Sequence, residues 1–253
     1  MTEQNPFSVP DNQNLQPAGT AAGRTVEAGQ GIEWLKEGWQ LFVRNPGVWI
    51  AIAVIVIVIF LVLGFIPLLG QLVANLIAPV IAAGVLAGSR ALAQGEELRI
   101  EHVFAGFKQN TGSLIVLGVL ALVGGLLIAF VSFLIVGGGA MSGAMVGDGR
   151  GMGMAAGSLI LGVLVMLALM VPLMMALWFA PALVMFRNTA PVEALKLSFN
   201  ACLKNIMPFL VYGVVMFVLS VVAAIPLGLG FILLLPVAAG SLYASYVDIF
   251  ERA

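Results

Sequence analysis

Charged residues are scarce in this sequence, and their scarcity excludes a water-soluble domain. Only 9% of the 253 residues are charged and 61% are hydrophobic. In soluble domains about 25% of residues are charged and roughly 45–50% are apolar. A soluble core of this size cannot hide that excess from water, so we expect most of the chain to lie in lipid. The formal net charge of −1 gives no basis for nucleic-acid binding, and we expect none.

Cysteine and histidine are almost absent as well. Cys202 is the single cysteine, so the chain cannot form an internal disulfide, and His102 is the single histidine, which excludes a multi-histidine metal site. We find no cluster of acids, bases, nucleophiles or metal ligands. The sequence therefore predicts no catalytic residue, no cofactor and no metal, and we expect a protein that is not an enzyme.

The first 30 residues lack the apolar stretch of a cleavable signal peptide. They are rich in Pro, Asn, Gln and Gly, a composition typical of disorder. We predict a disordered cytoplasmic tail over 1–30 and a single integral membrane domain over 31–253.

Long uncharged runs define the membrane segments. Residues 48–89 contain no charge before Arg90, and as one helix they would extend about 63 Å, twice a hydrocarbon core of about 30 Å. Each such run must therefore fold back, and helices are the form expected in lipid. The fold class is predicted as all-α, a polytopic membrane helical bundle with six spans at 48–69, 72–92, 113–136, 158–186, 206–226 and 229–249. The glycine- and methionine-rich stretch 137–157 is interpreted as a flexible loop.

The basic residues predict an orientation. Of the 11 Lys and Arg residues, only Arg150 falls on the side of the 137–157 loop. Cytoplasmic loops carry the excess of basic residues. We therefore expect a multi-pass protein of the bacterial inner (plasma) membrane with both termini in the cytoplasm. No ionisable group lies at mid-depth, which counts against an ion-coupled transporter.

An octapeptide ending in asparagine occurs three times, at 38–45, 103–110 and 198–205. Its second position is always aromatic, and its seventh is a long cationic or amide side chain. Repetition at this scale predicts three pseudo-repeated units, each with a cytoplasmic amphipathic segment and a transmembrane hairpin, at 31–95, 96–188 and 190–253.

The second helices of the three hairpins align on Pro79, Pro172 and Pro236. Each proline is followed after four and eight residues by small side chains, which allow helix backbones to approach closely in a membrane. The predicted packing positions are Ala83, Ala87, Ala176, Ala180, Gly240 and Ala244.

The amphipathic segments are predicted to lie on the cytoplasmic leaflet. In the first segment, Ile32, Leu35, Trp39 and Phe42 form one predicted apolar face, and Trp34, Trp39 and Trp49 suit the headgroup level. The candidate lipid- or partner-facing residues are Lys36, Trp39, Arg44, Lys196, Phe199 and Lys204. The alternative is that these segments only anchor and orient the hairpins.

A resemblance supports the same architecture. The stretch 178–186, the run 191–196 beginning Pro-Val-Glu-Ala, and 202–205 (Cys-Leu-Lys-Asn) resemble an uncharacterised proteobacterial family of six-helix inner-membrane proteins. That family is similar to the membrane domain attached to some glycerophosphodiester phosphodiesterases. The resemblance implies the fold and the location, and it carries over no catalytic residue.

Two functions remain open from the sequence. The first is a non-enzymatic inner-membrane protein that binds membrane lipids, or a protein partner at its cytoplasmic face, in envelope organisation. The second is a small transporter or lipid-translocating channel. The sequence contains no indication of the oligomeric state.

Overall fold

The computed structural model describes residues 23–146 and 149–252. Most of the predicted disordered tail, 1–22, lies outside the described residues. The tail was predicted to reach residue 30, but within it Arg24 and Val26 form hydrogen bonds to residues 205 and 248–249. The described elements are α1 (Gln30–Arg44), α2 (Pro46–Gly64), α3 (Leu69–Ala93), a 3₁₀ helix (Ile100–Phe107), α4 (Thr111–Val146), α5 (Gly149–Trp178), α6 (Ala180–Arg187), α7 (Pro191–Lys204), α8 (Ile206–Ala224), α9 (Phe231–Tyr246) and a π-helical turn (Val247–Glu251).

Six segments of the described chain are long and apolar enough to cross a membrane. They are Pro46–Gly64, Leu69–Ala93, Thr111–Val146, Gly151–Arg187, Ile206–Ala224 and Phe231–Glu251. The predicted all-α bundle with six spanning helices is therefore confirmed.

The prediction of a flexible loop over 137–157 is wrong. α4 continues to Val146 and α5 begins at Gly149. All of the predicted loop except residues 147–148, which lie outside the described chain, is therefore helical. The glycines bring the backbones together: a Cβ on Gly143 would overlap the carbonyl oxygen of Gly151, and one on Gly139 would overlap Ser158. Small residues four apart favour such close helix contacts in lipid.

The bundle has two dissimilar ends. One end is formed by α1, the 3₁₀ helix, α6, α7 and the π-helical turn, and we call it the polar end. The hairpin end is the opposite one, where 65–68 and 225–230 connect spanning helices, where α4 ends and where α5 begins. Among the largest fully buried side chains are Trp34, Trp49, Phe179 and Tyr246, all of which lie toward the polar end.

The three amphipathic segments pack in a cyclic order. α1 crosses α9, where Gly38 leaves no room for a Cβ beside Val237 and Ser241. The 3₁₀ helix lies on α3, where Gly84 fits under the backbone of Val103. α7 lies against α5, where the Ser198 hydroxyl donates to the Met175 carbonyl at 2.7 Å. The 3₁₀ helix and α7 therefore each cover the second helix of the preceding hairpin. α1 closes the order, because it covers α9, the second helix of the third hairpin.

The predicted small-residue positions differ in burial. Ala83, Ala180 and Ala244 are fully buried, and Gly240 lies against the backbone of Gly38. Ala87 and Ala176 are only half-buried, and their role in helix packing stays a prediction.

Candidate functional site

A buried carboxylate organises the polar end. Asp248, in the π-helical turn, is 1% exposed. Its carboxylate forms an ion pair with Arg24 and accepts a hydrogen bond from the indole Nε1 of Trp34 at 3.0 Å. Arg252 lies 3.8 Å from the same carboxylate and 3.5 Å from that of Glu37. We call these five residues the clasp.

The charges of the clasp compensate one another. Two carboxylates, Asp248 and Glu37, face two guanidinium groups, Arg24 and Arg252. Burial raises the pKa of Glu37, and the nearby Arg252 offsets part of that effect. Because buried charges are stable only when paired, the clasp is a structural ion network. Protein side chains surround the Asp248 carboxylate, although it lies at the polar end of the bundle.

Residues 23–26, which we call the strap, bind across the same face. The backbone N–H of Arg24 donates to the Ile249 carbonyl at 2.9 Å, and its side-chain Nε donates to the Asp248 carbonyl at 2.6 Å. The amide of Asn205 closes the other side, since it accepts from the Val26 N–H at 2.8 Å and donates to the Arg24 carbonyl at 2.9 Å. The strap therefore joins the first described residues to α7 and to the end of α9.

Residues at the end of each amphipathic segment hold the chain that leads into the next one. Asn205 holds the strap before α1. Asn110 donates to the Val184 carbonyl at 2.9 Å, in the segment before α7. Arg44 donates to the Leu92 carbonyl at 3.1 Å, just before the chain turns toward the 3₁₀ helix. This role is structural for Arg44, which the sequence proposed as a lipid-facing residue.

Arginines at the polar ends of α3, α6 and α9 follow the same cyclic order. The Arg90 guanidinium lies 4.8 Å from the ring centroid of Phe186. Arg187 lies 5.4 Å from the ring centroid of Phe250 and donates to its carbonyl. Arg252 reaches Glu37 of α1. Each arginine thus contacts the next element in the cyclic order, and two of the three contacts are made with aromatic side chains.

α1 has two apolar faces instead of the single one predicted. Leu35 and Phe42 are buried in the bundle, whereas Ile32 and Trp39 are 43% and 53% exposed. Lys36 lies one turn from each exposed residue and pairs with Glu33 at 2.6 Å. Trp39 and Lys36 are therefore accessible at the polar end, as a lipid- or partner-facing surface requires.

Two of the three tryptophans predicted at the headgroup level are buried in protein. Trp34 donates to Asp248, and the Trp49 Nε1 donates to the Leu41 carbonyl at 3.1 Å. Both are at most 1% exposed. The prediction was wrong for these two because an indole N–H finds a partner equally well inside the protein.

The other two amphipathic segments also expose apolar side chains. Phe104 and Phe107 of the 3₁₀ helix are 40% and 42% exposed, and their ring centroids are 6.4 Å apart. On α7, Lys196 and Lys204 are exposed and Phe199 is half-buried.

Cys202 is an inert buried thiol. It is 4% exposed, and its sulfur lies 3.5 Å from the Met175 carbonyl oxygen. Burial raises its pKa to about 12, so the nucleophilic thiolate is scarce near neutral pH. Nothing in this environment resembles an activated cysteine.

Two cavities lie beside these elements. The first, of about 320 Å³, is an apolar groove between α2, α3 and α9, with Phe60, Ala82 and Leu235 among its walls. The second, of about 330 Å³, opens at the polar end between α3, the 3₁₀ helix and α6, and Arg90 and His102 contribute to its lining.

Known proteins agree with a membrane location. Residues 65–146 match a family described as "Predicted integral membrane protein (DUF2189)". The chain is 28% identical over 230 residues to a probable inner membrane protein of Burkholderia thailandensis, and the match covers 88% of this chain and 83% of the relative. This is an integral inner-membrane protein. No solved structure matches this inner-membrane protein. Its likeness to the membrane domain of some glycerophosphodiester phosphodiesterases stays a prediction.

Proposed function

We propose that this protein is a non-enzymatic inner-membrane protein that binds membrane lipids through the exposed side chains of its polar end. The polar end faces the cytoplasm, as do both termini. We further infer that the three predicted units, 31–95, 96–188 and 190–253, form a pseudo-threefold ring. The cyclic order of their contacts supports that inference.

The observation that carries the proposal is the exposed face of α1. Trp39 is 53% exposed and packs against Phe42 with ring centroids 5.4 Å apart. Lys36 and Val43 are exposed on either side of it. An aromatic side chain beside a cation, at the end of spanning helices, is typical of contact with lipid headgroups. Exposed Phe104 and Phe107 continue the same chemistry on the 3₁₀ helix.

The electrostatic contribution to lipid binding is modest. Each basic residue near an anionic membrane surface contributes about 1 kcal/mol. Glu33 neutralises part of the charge of Lys36, whereas Lys196 and Lys204 form no ion pair with any residue the structure describes. We therefore expect a preference for anionic lipid and not a tight specific complex.

The lipid proposal is tested by changing Lys36, Lys196 and Lys204 together to Gln. Arg44 is left unchanged because it holds the Leu92 carbonyl. Native mass spectrometry should show reduced retention of phosphatidylglycerol relative to a neutral lipid. The matched control changes two exposed uncharged residues of the same helices, Gln40→Ala and Asn200→Ala. Unchanged retention in the triple variant would refute lipid binding by these cations, and loss of a co-purifying protein instead would indicate a protein partner.

The orientation is tested with single cysteines in a Cys202→Ser background. Ser142, near the hairpin end, and Lys108, at the polar end, are both exposed. On intact spheroplasts an impermeant thiol reagent should label Ser142→Cys and spare Lys108→Cys. The reverse pattern would invert the topology.

A lipid-translocating channel is the second candidate, and the apolar groove between α2, α3 and α9 favours it. A groove of about 320 Å³ accepts part of an acyl chain. Its apolar walls offer nothing to a headgroup, however, and mid-depth in the described spans is uncharged. Filling the groove with Ala82→Phe should leave flipping of a fluorescent lipid in proteoliposomes unchanged if the first proposal holds. Abolished flipping would favour the second.

A further inference from the structure

The polar cavity at the end of α3 has the size and the chemistry of a ligand site. Its volume is about 330 Å³, within the range of about 300–1,000 Å³ for small-molecule pockets. Its floor is apolar, from α3, α6 and the 3₁₀ helix. Its polar lining consists of Arg90, Gln94, Glu96, His102 and Gln109.

Arg90 is the cation of this pocket, and its guanidinium has no hydrogen bond or ion pair with any residue the structure describes. One face of the group rests on the ring of Phe186, 4.8 Å from its centroid. Stacking holds the plane of a guanidinium and leaves the N–H groups at its edge available. A half-buried Arg with five unpaired donors requires acceptors from water or from a ligand.

The other polar groups supply more donors. The His102 Nδ1 lies 3.0 Å from the backbone nitrogen of Arg99 and 3.1 Å from its carbonyl oxygen. In the tautomer in which Nδ1 accepts from the Arg99 N–H, the proton of the neutral ring is on Nε2, which is then a donor toward the pocket. The side-chain amides of Gln94 and Gln109 are exposed at the same pocket and make no hydrogen bond to a described residue.

We propose that this pocket binds a phosphate group. A guanidinium fork matches the oxygens of phosphate and binds them in a bidentate manner, and the amide and imidazole N–H groups add single hydrogen bonds. The Glu96 carboxylate, also in the lining, disfavours a second negative charge. The group bound is therefore a phosphate of low charge, from a phospholipid headgroup or from solution. The pocket shares no residue with the exposed cationic surface of Lys36, Lys196 and Lys204, so this proposal does not rest on the proposed function.

The experiment compares two sources of phosphate on the purified full chain. Inorganic phosphate is titrated against thermal stability in detergent, and nanodiscs of phosphatidylglycerol or of a neutral glycolipid report lipid retention. Arg90→Gln should weaken binding by about tenfold or more, as expected for loss of a charge-assisted hydrogen bond. Arg90→Lys should restore only part of it, because an ammonium lacks the fork.

Two further variants separate the pocket from the rest of the polar end. Gln109→Leu changes an exposed lining residue without disturbing the stack on Phe186, and it should also weaken binding. Lys36→Gln lies outside the pocket and should leave binding unchanged. A response to inorganic phosphate that depends on Arg90 would assign a soluble ligand, and a response to phospholipid alone would assign a headgroup. Folded Arg90→Gln and Gln109→Leu proteins that bind both probes as the unaltered protein does would overturn the proposal, as would no binding of either probe.

Discussion

The polar end and the hairpin end are the two ends of the same spanning helices but are held together differently. At the polar end, Trp34 and Tyr246 are at most 1% exposed, and hydrogen bonds join residues more than 170 positions apart. At the hairpin end, Phe65 is 78% exposed and Leu227 is 97% exposed. In lipid, apolar side chains gain little by packing on each other, whereas polar groups must find partners. The fold is therefore specified mainly at the polar end.

The largest effect is expected from removing the central carboxylate of the clasp. Asp248→Ala leaves Arg24, Arg252 and the Trp34 Nε1 without their shared partner. A buried pair that loses one member costs about 3–5 kcal/mol, and we expect the lower end because the Arg24 side chain is 42% exposed. Thermal unfolding in detergent measures the loss.

The control for the clasp is Arg24→Gln. It keeps Asp248 close to Arg252 and hydrogen-bonded to Trp34, so we expect a smaller loss of about 1.5 kcal/mol, as for one hydrogen bond to a charged group. An Asp248→Ala protein as stable as Arg24→Gln would show that the clasp does not distinguish the two ends.

A smaller loss is expected at the closest helix crossing. Gly38→Ala places a Cβ against the backbone of α9 at Val237 and Ser241, and such overpacking costs about 1–3 kcal/mol. The matched control is Gly213→Ala in α8, where a Cβ would meet no atom within 4 Å. That change should be neutral or should stabilise by up to about 1 kcal/mol, because Ala favours helix. Equal melting temperatures for the two variants would contradict the close crossing of α1 and α9.

At the hairpin end the expected effect is local. Gly143→Ala forces α4 away from Gly151, whereas a Cβ at Gly138 would meet nothing within 4 Å. Hydrogen exchange over 137–157 should quicken in Gly143→Ala and not in Gly138→Ala, with little change in melting temperature. If hydrogen exchange over this stretch is fast in the unaltered protein and equally fast in both variants, the stretch is a flexible loop, as the sequence predicted.

The smallest effect concerns the thiol of Cys202. With its pKa raised from 9.0 to about 12, its thiolate fraction near pH 7 falls by roughly a thousandfold, because each unit is a factor of ten. Maleimide should label the native protein very slowly and the SDS-unfolded protein quickly. Rapid labelling of the native protein would mean that α7 does not stay packed on α5.

The spans were predictable because lipid imposes a simple rule. An uncharged run twice as long as the bilayer is thick must fold back, and this alone located six helices within a few residues, except where α4 and α5 extend toward each other. That extension was missed because glycine was read as a turn residue. The spacing of Gly139 and Gly143, four apart, was the signal that predicts a helix contact instead.

The polar end was harder to predict because its contacts are long-range. The pattern of α1 has apolar residues on more than one side, and nothing local distinguishes the side that faces α9 from the side that carries Trp39. The sequence shows an acid, Asp248, near the end of the last predicted span, and an arginine, Arg24, in the polar tail. Their pairing across 224 positions follows only from the cyclic packing. The orientation and the role of the small-residue pairs stay predictions.

The strap has a consequence for biosynthesis. Arg24 is translated long before its partners Asn205 and Asp248, which lie 181 and 224 positions further along the chain. Until then, the indole of Trp34 and the guanidinium of Arg24 must remain in water or be shielded by other proteins. The segment from α9 to the π-helical turn therefore acts twice, once as a span and once as the partner that fixes residues 23–26, and a chain that ends before Asp248 leaves the indole N–H of Trp34 without its acceptor.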